Sequence, residues 1–188
     1  MALAELNETI TARGGEYHLR GRFDPRFAPV AQAFIENFRV EEELGAGCSV
    51  VIDGQTVVDL WGGWARADRS EPWDEHSTVC MMSVAKGVTG ICFNMAIDRG
   101  LIDPDLPIAH YWPEFAQAGK QGITVRMVLD HTAAIPVLTT DTMQPGGFFD
   151  YPAYIAALEV QLPLWQPGTR AAYHVHNQGF LLGEVLRR

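Results

Sequence analysis

Ser83-Val84-Ala85-Lys86 is an S-x-x-K motif at the predicted start of a helix. Arg99 and Gly100 close the segment with a cation in the last turn and a residue that tolerates positive φ just after it. Between these ends, apolar residues recur at the spacing of one helical face: Val84, Val88, Ile91, Cys92, Met95 and Ala96. We therefore predict a helix that begins near Ser83.

The motif places a hydroxyl and an amine one helical turn apart. A serine is a good nucleophile only when a nearby base accepts its proton, and Lys86 can do so if burial or positive charge lowers its pKa. The positive end of the helix dipole would stabilise negative charge that develops beside Ser83. The alternative interpretation is a serine N-cap followed by a solvated lysine, because four-residue matches are common by chance.

Composition is that of an ordinary globular protein. The 188 residues are 47% hydrophobic, and 14 basic against 23 acidic residues give a net charge of -9. No cluster of Lys and Arg could neutralise phosphates, so we predict no nucleic-acid partner. Cys48, Cys80 and Cys92 are odd in number and lie in apolar runs, which favours reduced thiols. Since neither a signal peptide nor a membrane-spanning stretch is visible, we expect a cytoplasmic protein without a membrane partner.

The order of elements predicts an α+β fold. Asp24-Pro25 starts an amphipathic helix that runs toward Glu43. Cys48 to Ile52 and Thr56 to Trp61 are β-branched runs around Asp53-Gly54, which predicts a hairpin. After the Ser83 helix, we predict a chain broken by prolines and then three helices, at Val125 to Asp130, Tyr154 to Leu162 and Gly179 to Arg188.

Several blocks in one order resemble the serine beta-lactamase and penicillin-binding-protein superfamily, most closely its family VIII carboxylesterase branch. They are Val58-Asp59-Leu60-Trp61-Gly62-Gly63, Met82-Ser83-Val84-Ala85-Lys86-Gly87, His110-Tyr111-Trp112-Pro113-Glu114-Phe115, Ile123-Thr124-Val125, Leu129-Asp130-His131-Thr132-Ala133, Trp165-Gln166-Pro167-Gly168-Thr169, Tyr173-His174 and Leu181-Leu182-Gly183-Glu184. Such a series is far more specific than S-x-x-K alone.

The resemblance implies a beta-lactamase/transpeptidase-like fold, in which an antiparallel sheet flanked by helices adjoins a mostly helical lobe. We expect a single domain over residues 1–188, with the N-terminal helix and hairpin of the α/β lobe in 1–82 and the catalytic helix and helical lobe in 83–188. The family's third motif, a K-T-G, H-x-G or W-x-G triplet on a late strand, has no match here. Trp61-Gly62-Gly63 corresponds to an N-terminal strand end, so we expect a chain that is truncated and lacks the C-terminal strands.

The resemblance also implies that Tyr173 is a catalytic residue beside Ser83 and Lys86. A tyrosine whose pKa is lowered by a nearby ammonium can act as general base and then as general acid. Whether the lysine or the tyrosine is the first base stays open. Without the resemblance, Tyr173 would be an amphipathic residue at the edge of the core. Asn177 lies four residues beyond Tyr173 rather than two, so it does not fill the family's Y-x-N position.

The remaining histidines are given structural interpretations. His174-Val175-His176 could present two imidazoles to a metal, but no acidic or cysteine partner has matching spacing, and we predict no metal or other cofactor. His131 resembles a structural position of the family at a helix end.

These observations predict a serine hydrolase that forms an acyl-enzyme on Ser83, with Lys86 and Tyr173 as its other catalytic residues. A carboxylesterase acting on short-chain esters is favoured, with a small-molecule ester or amide as the only partner. A beta-lactamase or D-amino-acid peptidase is the alternative within the enzyme class. A catalytically silent binding or assembly module, or an inactive fragment, is the alternative from another class, and a homo-oligomer is left open.

Overall fold

The computed structural model describes residues 2–41, 43–139 and 147–188. The chain divides into two compact units, Met1–Cys80 and Met81–Arg188, each with its own hydrophobic core. No helix in the described ranges is both long enough and apolar enough to cross a membrane.

The first unit is a four-stranded antiparallel sheet covered by one helix. Its elements are β1 (Ala4–Ala12), β2 (Gly15–Phe23), α1 (Ala28–Val40), β3 (Gly45–Ile52) and β4 (Gln55–Gly63), with the strands in the order β1-β2-β4-β3. The core lies between helix and sheet because Phe34, Ile35 and Phe38 of α1 cluster with buried strand residues such as Leu19 and Leu60.

The predicted helix and hairpin of this unit are confirmed. The Asp24 side chain accepts a hydrogen bond from the Arg26 backbone N–H at 2.9 Å and caps a 3-10 turn that leads into α1. The helix ends at Val40, before the predicted Glu43. Asp53 and Gly54 both have positive φ, as the two central residues of a type I′ hairpin turn require.

The hairpin formed by β1 and β2 was not predicted. β1 buries only Leu6 and Ile10, four residues apart, while the residues between them are exposed. Strict apolar alternation, the usual sequence signal of a strand, is therefore incomplete. Gly14-Gly15 marked the turn, and Tyr17 and Leu19 alternate inward on β2.

The glycines of Trp61-Gly62-Gly63 are explained by strand packing. A Cβ at Gly62 would collide with the His18 carbonyl oxygen of β2, and one at Gly63 would collide with the Leu44 carbonyl oxygen. Gly63 also has a φ of 83°, which favours glycine. The match to a W-x-G triplet therefore has a structural cause within this sheet.

The second unit is helical. A 3-10 turn at Met82–Val84 leads into α2 (Ala85–Asp98), and α3 (Ile108–Tyr111), α4 (Val125–Leu129), α5 (Tyr151–Val160) and α6 (Asn177–Arg187) follow. The four predicted helices are confirmed, with ends shifted by a few residues. The core includes Phe93 of α2, Trp112, Phe115, Leu158 of α5 and Leu181 of α6.

The buried face of α2 differs from the apolar face that the spacing identifies. Phe93 and Ala96 are buried, whereas Val88, Ile91 and Met95 are 54%, 62% and 48% exposed. Both faces of α2 are apolar, so periodicity cannot select between them. The helix packs through its Phe93 side, and Ala96 alone belongs to both sets.

Lys120 is a fully buried cation in this unit. Its Nζ donates to the carbonyl oxygen of Glu159, in the last turn of α5, at 2.7 Å, and to that of Gln161, just after the helix, at 2.8 Å. It also lies 5.0 Å from the centroid of the Phe115 ring. Burial lowers the pKa of Lys120 to about 8, and the charge of Glu159 opposes this only in part. The lysine therefore closes the C-terminal end of a core helix.

We expect Lys120→Met to lower the free energy of unfolding at pH 7 by about 1–3 kcal/mol, because two buried carbonyls lose their donor. The pKa of Lys120 is lower in the folded state than in the unfolded state, so the unfolded chain binds more protons between about pH 8 and pH 10. The contribution of Lys120 to stability therefore rises with pH across that window. Urea unfolding at several pH values measures it, and an identical pH dependence in wild type and variant would contradict it.

Candidate active site

Ser83 and Lys86 lie at the N-terminal end of α2. Ser83 is the central residue of the 3-10 turn, and Lys86 is the second residue of the helix. Residues three apart share a helical face, and the Lys86 Nζ lies 3.3 Å from the Ser83 Oγ. Met82 has a φ of 47°, a left-handed conformation that is unusual for a side chain of this size. The serine therefore sits on a sharp turn with its amine partner in place.

Lys86 also joins α2 to the segment that carries Tyr173. Its Nζ donates to the Val175 carbonyl oxygen at 2.7 Å and lies 4.8 Å from the centroid of the Tyr173 ring. A lysine over an aromatic face is attracted by the ring quadrupole. Val175 lies two residues beyond Tyr173, at the sequence position where the Y-x-N pattern has asparagine. It contacts Lys86 through its main-chain carbonyl.

Tyr173 completes the group predicted from sequence. Its side chain is half exposed. A hydrogen bond with Ser83, and then the nearby Lys86 ammonium, lower the pKa of Tyr173 below its usual value of about 10. The structure therefore brings Ser83, Lys86 and Tyr173 together, although 87 residues separate lysine and tyrosine along the chain.

His131 packs against the Tyr173 ring and holds the backbone on both sides of it. The two rings are 4.8 Å apart, and the His131 Nδ1 accepts a hydrogen bond from the His174 backbone N–H at 3.1 Å. The His131 carbonyl accepts another from the Ala172 backbone N–H at 3.1 Å. Burial, and then the charge of Lys86, lower the pKa of His131. The structural interpretation from sequence gave no hint that this histidine fixes the backbone on both sides of Tyr173.

His174 is buried and bound on both ring nitrogens. Its Nε2 accepts from the Ile135 backbone N–H at 3.2 Å, so the ring proton lies on Nδ1, 2.6 Å from the Ala172 carbonyl oxygen that accepts it. Burial lowers the pKa of His174, and its stacking on His131 joins the two rings. In the described residues no three metal-binding side chains cluster, and neither nitrogen of His174 is available to a ligand.

Asn177 lies outside the group formed by Ser83, Lys86 and Tyr173. It is buried, accepts from the Tyr154 hydroxyl at 2.7 Å and donates to the Ile135 carbonyl at 2.8 Å. These bonds fix the same short segment that His174 holds through the Ile135 N–H. Sequence spacing excluded Asn177 from the site, and its contacts give it a structural role.

A family model described as Beta-lactamase matches residues 31–188. The chain is 37% identical to the Esterase/beta-lactamase LipL of Mycobacterium tuberculosis over 170 residues, which are 89% of this chain and 38% of LipL. It is 27% identical over 130 residues to a protein named Beta-lactamase from Escherichia coli, covering 69% of this chain and 33% of that one.

Solved structures agree with this assignment. A family VIII carboxylesterase is 38% identical and superposes with a TM-score of 0.84 over 90% of this chain and 46% of its own. A penicillin-binding-protein homologue from Caulobacter crescentus is 36% identical, with a TM-score of 0.85 over 90% and 45%. The fold is therefore beta-lactamase/transpeptidase-like, and the chain spans less than half the length of these relatives.

We expect the stability of the protein to fall as the pH drops below about 6.5, in part through His174. Its pKa is lower in the folded state, so the unfolded chain binds more protons there and is favoured. His174→Gln keeps a donor and an acceptor but cannot titrate, so its melting temperature should fall less between pH 7 and pH 5. The cost of the substitution at pH 7 should be about 1–2 kcal/mol.

His176→Gln is the matched control. His176 lies two residues further along the same segment and is exposed, whereas His174 is buried. Its melting temperature should follow the wild-type pH dependence. If His174→Gln also follows the wild type, His174 does not carry the effect.

Proposed function

The chain belongs to the beta-lactamase family, a family of serine hydrolases. We propose that it forms an acyl-enzyme on Ser83 and that its substrates are esters. The observation that carries the proposal is the contact of the Lys86 Nζ with the Ser83 Oγ at 3.3 Å, beside a tyrosine of lowered pKa. The ester preference is supported by the likeness to a family VIII carboxylesterase and to a relative named as an esterase/beta-lactamase.

Tyr173 is the first proton acceptor in this proposal. The Lys86 Nζ points its N–H groups at the Ser83 Oγ and the Val175 carbonyl, so it acts as a donor. A hydrogen bond with Ser83 lowers the pKa of Tyr173, which means that the bond favours the phenolate. Lys86 then stabilises the phenolate as a neighbouring positive charge.

The reaction proceeds in two balanced steps. The Ser83 Oγ attacks the ester carbonyl carbon while its proton passes to Tyr173, and that proton then goes to the alcohol oxygen as the C–O bond breaks. Tyr173 then takes a proton from water, whose oxygen attacks the acyl-enzyme carbonyl carbon, and Tyr173 returns that proton to the Ser83 oxygen as the acid is released. The Ser83 backbone N–H, in the turn that opens α2, supplies one donor to the oxyanion.

A fluorophosphonate probe tests the nucleophile. The Ser83 oxygen should displace fluoride and add the phosphonyl mass, and Ser83→Ala should abolish the adduct in intact-mass spectra. Labelling of Lys86→Ala and Tyr173→Phe should be slower by about a hundredfold or more. If a folded sample takes up no label, the silent binding module is the better account of this chain.

The pH dependence of labelling identifies the base. The wild-type rate should rise with pH as Tyr173 loses its proton, at a pH below the usual tyrosine value because its pKa is lowered. Tyr173→Phe should lose that rise. A rise that persists in Tyr173→Phe and disappears in Lys86→Ala would assign the base to the lysine instead.

Substrate class is decided by turnover of a p-nitrophenyl ester against a chromogenic cephalosporin. We expect kcat/KM to favour the ester by at least about tenfold. A preference for the cephalosporin would support the beta-lactamase alternative, for which the likeness to the Escherichia coli protein is the specific observation.

A further inference from the structure

A cavity of about 270 Å³ lies beside the catalytic turn within the second unit. Its walls come from the start of α2, the 3-10 turn at Gly147–Phe149 and the first turns of α5 and α6. We call it the aromatic pocket, and its main lining residues are Met82, Lys86, Phe148, Tyr151, Val175 and Phe180. Apart from Lys86, the proposed chemistry uses none of these side chains.

The aromatic walls hold one another in place. Phe148 meets Phe180 edge-on with centroids 5.7 Å apart, and Tyr151 lies 5.7 Å from Phe180. Phe180 in turn stacks on the buried Tyr154 at 3.8 Å. Rings fixed in this way form a preorganised apolar surface, which costs little conformational entropy when a ligand binds.

Three polar side chains around the pocket already have hydrogen-bond partners, and the exposed imidazole of His176 contacts the Phe148 ring with centroids 4.8 Å apart. The Tyr151 hydroxyl donates to Glu184 at 3.2 Å, and the Thr89 hydroxyl donates to the Ala85 carbonyl at 3.1 Å. The Lys86 Nζ is bonded to Ser83 and Val175. An apolar group that enters breaks none of these hydrogen bonds and displaces water from exposed aromatic surface.

We propose that the aromatic pocket binds the uncharged apolar group of an ester substrate, a phenyl ring or a short branched chain, next to the carbonyl that Ser83 attacks. This inference rests on the proposed function, since it assumes that Ser83 is the nucleophile. The pocket is continuous with the reaction site because Lys86 belongs to both and Met82 directly precedes Ser83. Whole drug-sized ligands fill about 300–1,000 Å³, so this volume suits one small group.

Gly179 gives a way to fill the pocket without removing a wall. It lines the pocket from α6, and a Cβ built there meets no atom within 4 Å. Gly179→Leu should therefore place its side chain in the cavity, and Gly179→Ala should fill it in part. Gly183, one turn further along α6, is outside the lining, and a Cβ there makes only an ordinary contact with the Tyr151 hydroxyl. Gly183→Ala is the matched control.

The first experiment compares esters that differ in one apolar group. With p-nitrophenol as the common leaving group, we expect kcat/KM for the phenylacetyl ester to exceed that for the acetyl ester by about tenfold or more. Gly179→Leu should bring this ratio toward one, Gly179→Ala should lower it in part, and Gly183→Ala should leave it unchanged. Benzyl acetate against ethyl acetate repeats the comparison for the alcohol group, so the two series show which side of the ester the pocket holds. If Gly179→Leu changes neither ratio, the proposal is overturned.

The second experiment needs no chemistry. Benzyl acetate should bind to Ser83→Ala in saturation-transfer NMR, and the added substitution Gly179→Leu should remove that binding while circular dichroism shows an intact fold. If binding follows this pattern but the wild type takes up no fluorophosphonate, the pocket stands and the proposed function fails. If the wild type is labelled but Gly179→Leu leaves ring binding unchanged, the pocket assignment fails and the proposed function stands.

Discussion

The two hydrogen bonds of the Lys86 ammonium hold the candidate site together. One reaches the Ser83 hydroxyl in the 3-10 turn that leads into α2, and the other reaches the Val175 carbonyl in a segment 89 residues away. The Tyr173 ring lies within cation–π range of the same nitrogen. A single side chain thus fixes Ser83 and Tyr173 relative to each other.

The tyrosine is positioned by groups that take no part in the proposed chemistry. The neutral imidazole of His174 is held between the Ala172 carbonyl and the Ile135 backbone N–H. The backbone N–H of His174 donates to the His131 Nδ1. Asn177 fixes Ile135 from the other side. His131 and Ala134 both have positive φ, so this support includes backbone held in an uncommon conformation. Such geometry persists only where surrounding bonds determine it, which is what a precisely placed proton acceptor requires.

α2 has three surfaces in different environments. Its N-terminal end carries Lys86 and follows the 3-10 turn that contains Ser83. Its Phe93 side is buried in the helical core. The side with Val88, Ile91 and Met95 is exposed. The aromatic pocket lies next to the first of these surfaces. Its walls come from elements that the helical core also stabilises, since Tyr154 belongs to that core and Phe180 packs against it. The core that supports α2 therefore also shapes the space beside Ser83.

The sequence alone determined most of the elements and the members of the candidate site. Local signals sufficed for these: Asp-Pro before α1, Asp-Gly between β3 and β4, and the S-x-x-K at the start of α2. The blocks around Tyr173 added the third residue, through resemblance rather than through spacing. The β1–β2 hairpin was missed because β1 shows only two buried apolar residues.

Periodicity and spacing in the sequence do not predict contacts between distant residues, and these contacts are seen only in the tertiary structure. It chose the buried face of α2, since both faces are apolar and only packing distinguishes them. It gave Lys86 a main-chain partner at Val175, made His131 and His174 a support for Tyr173, and formed the pocket from four separate elements. These features depend on contacts between residues far apart in sequence, and the energies of such contacts leave no local pattern in the chain.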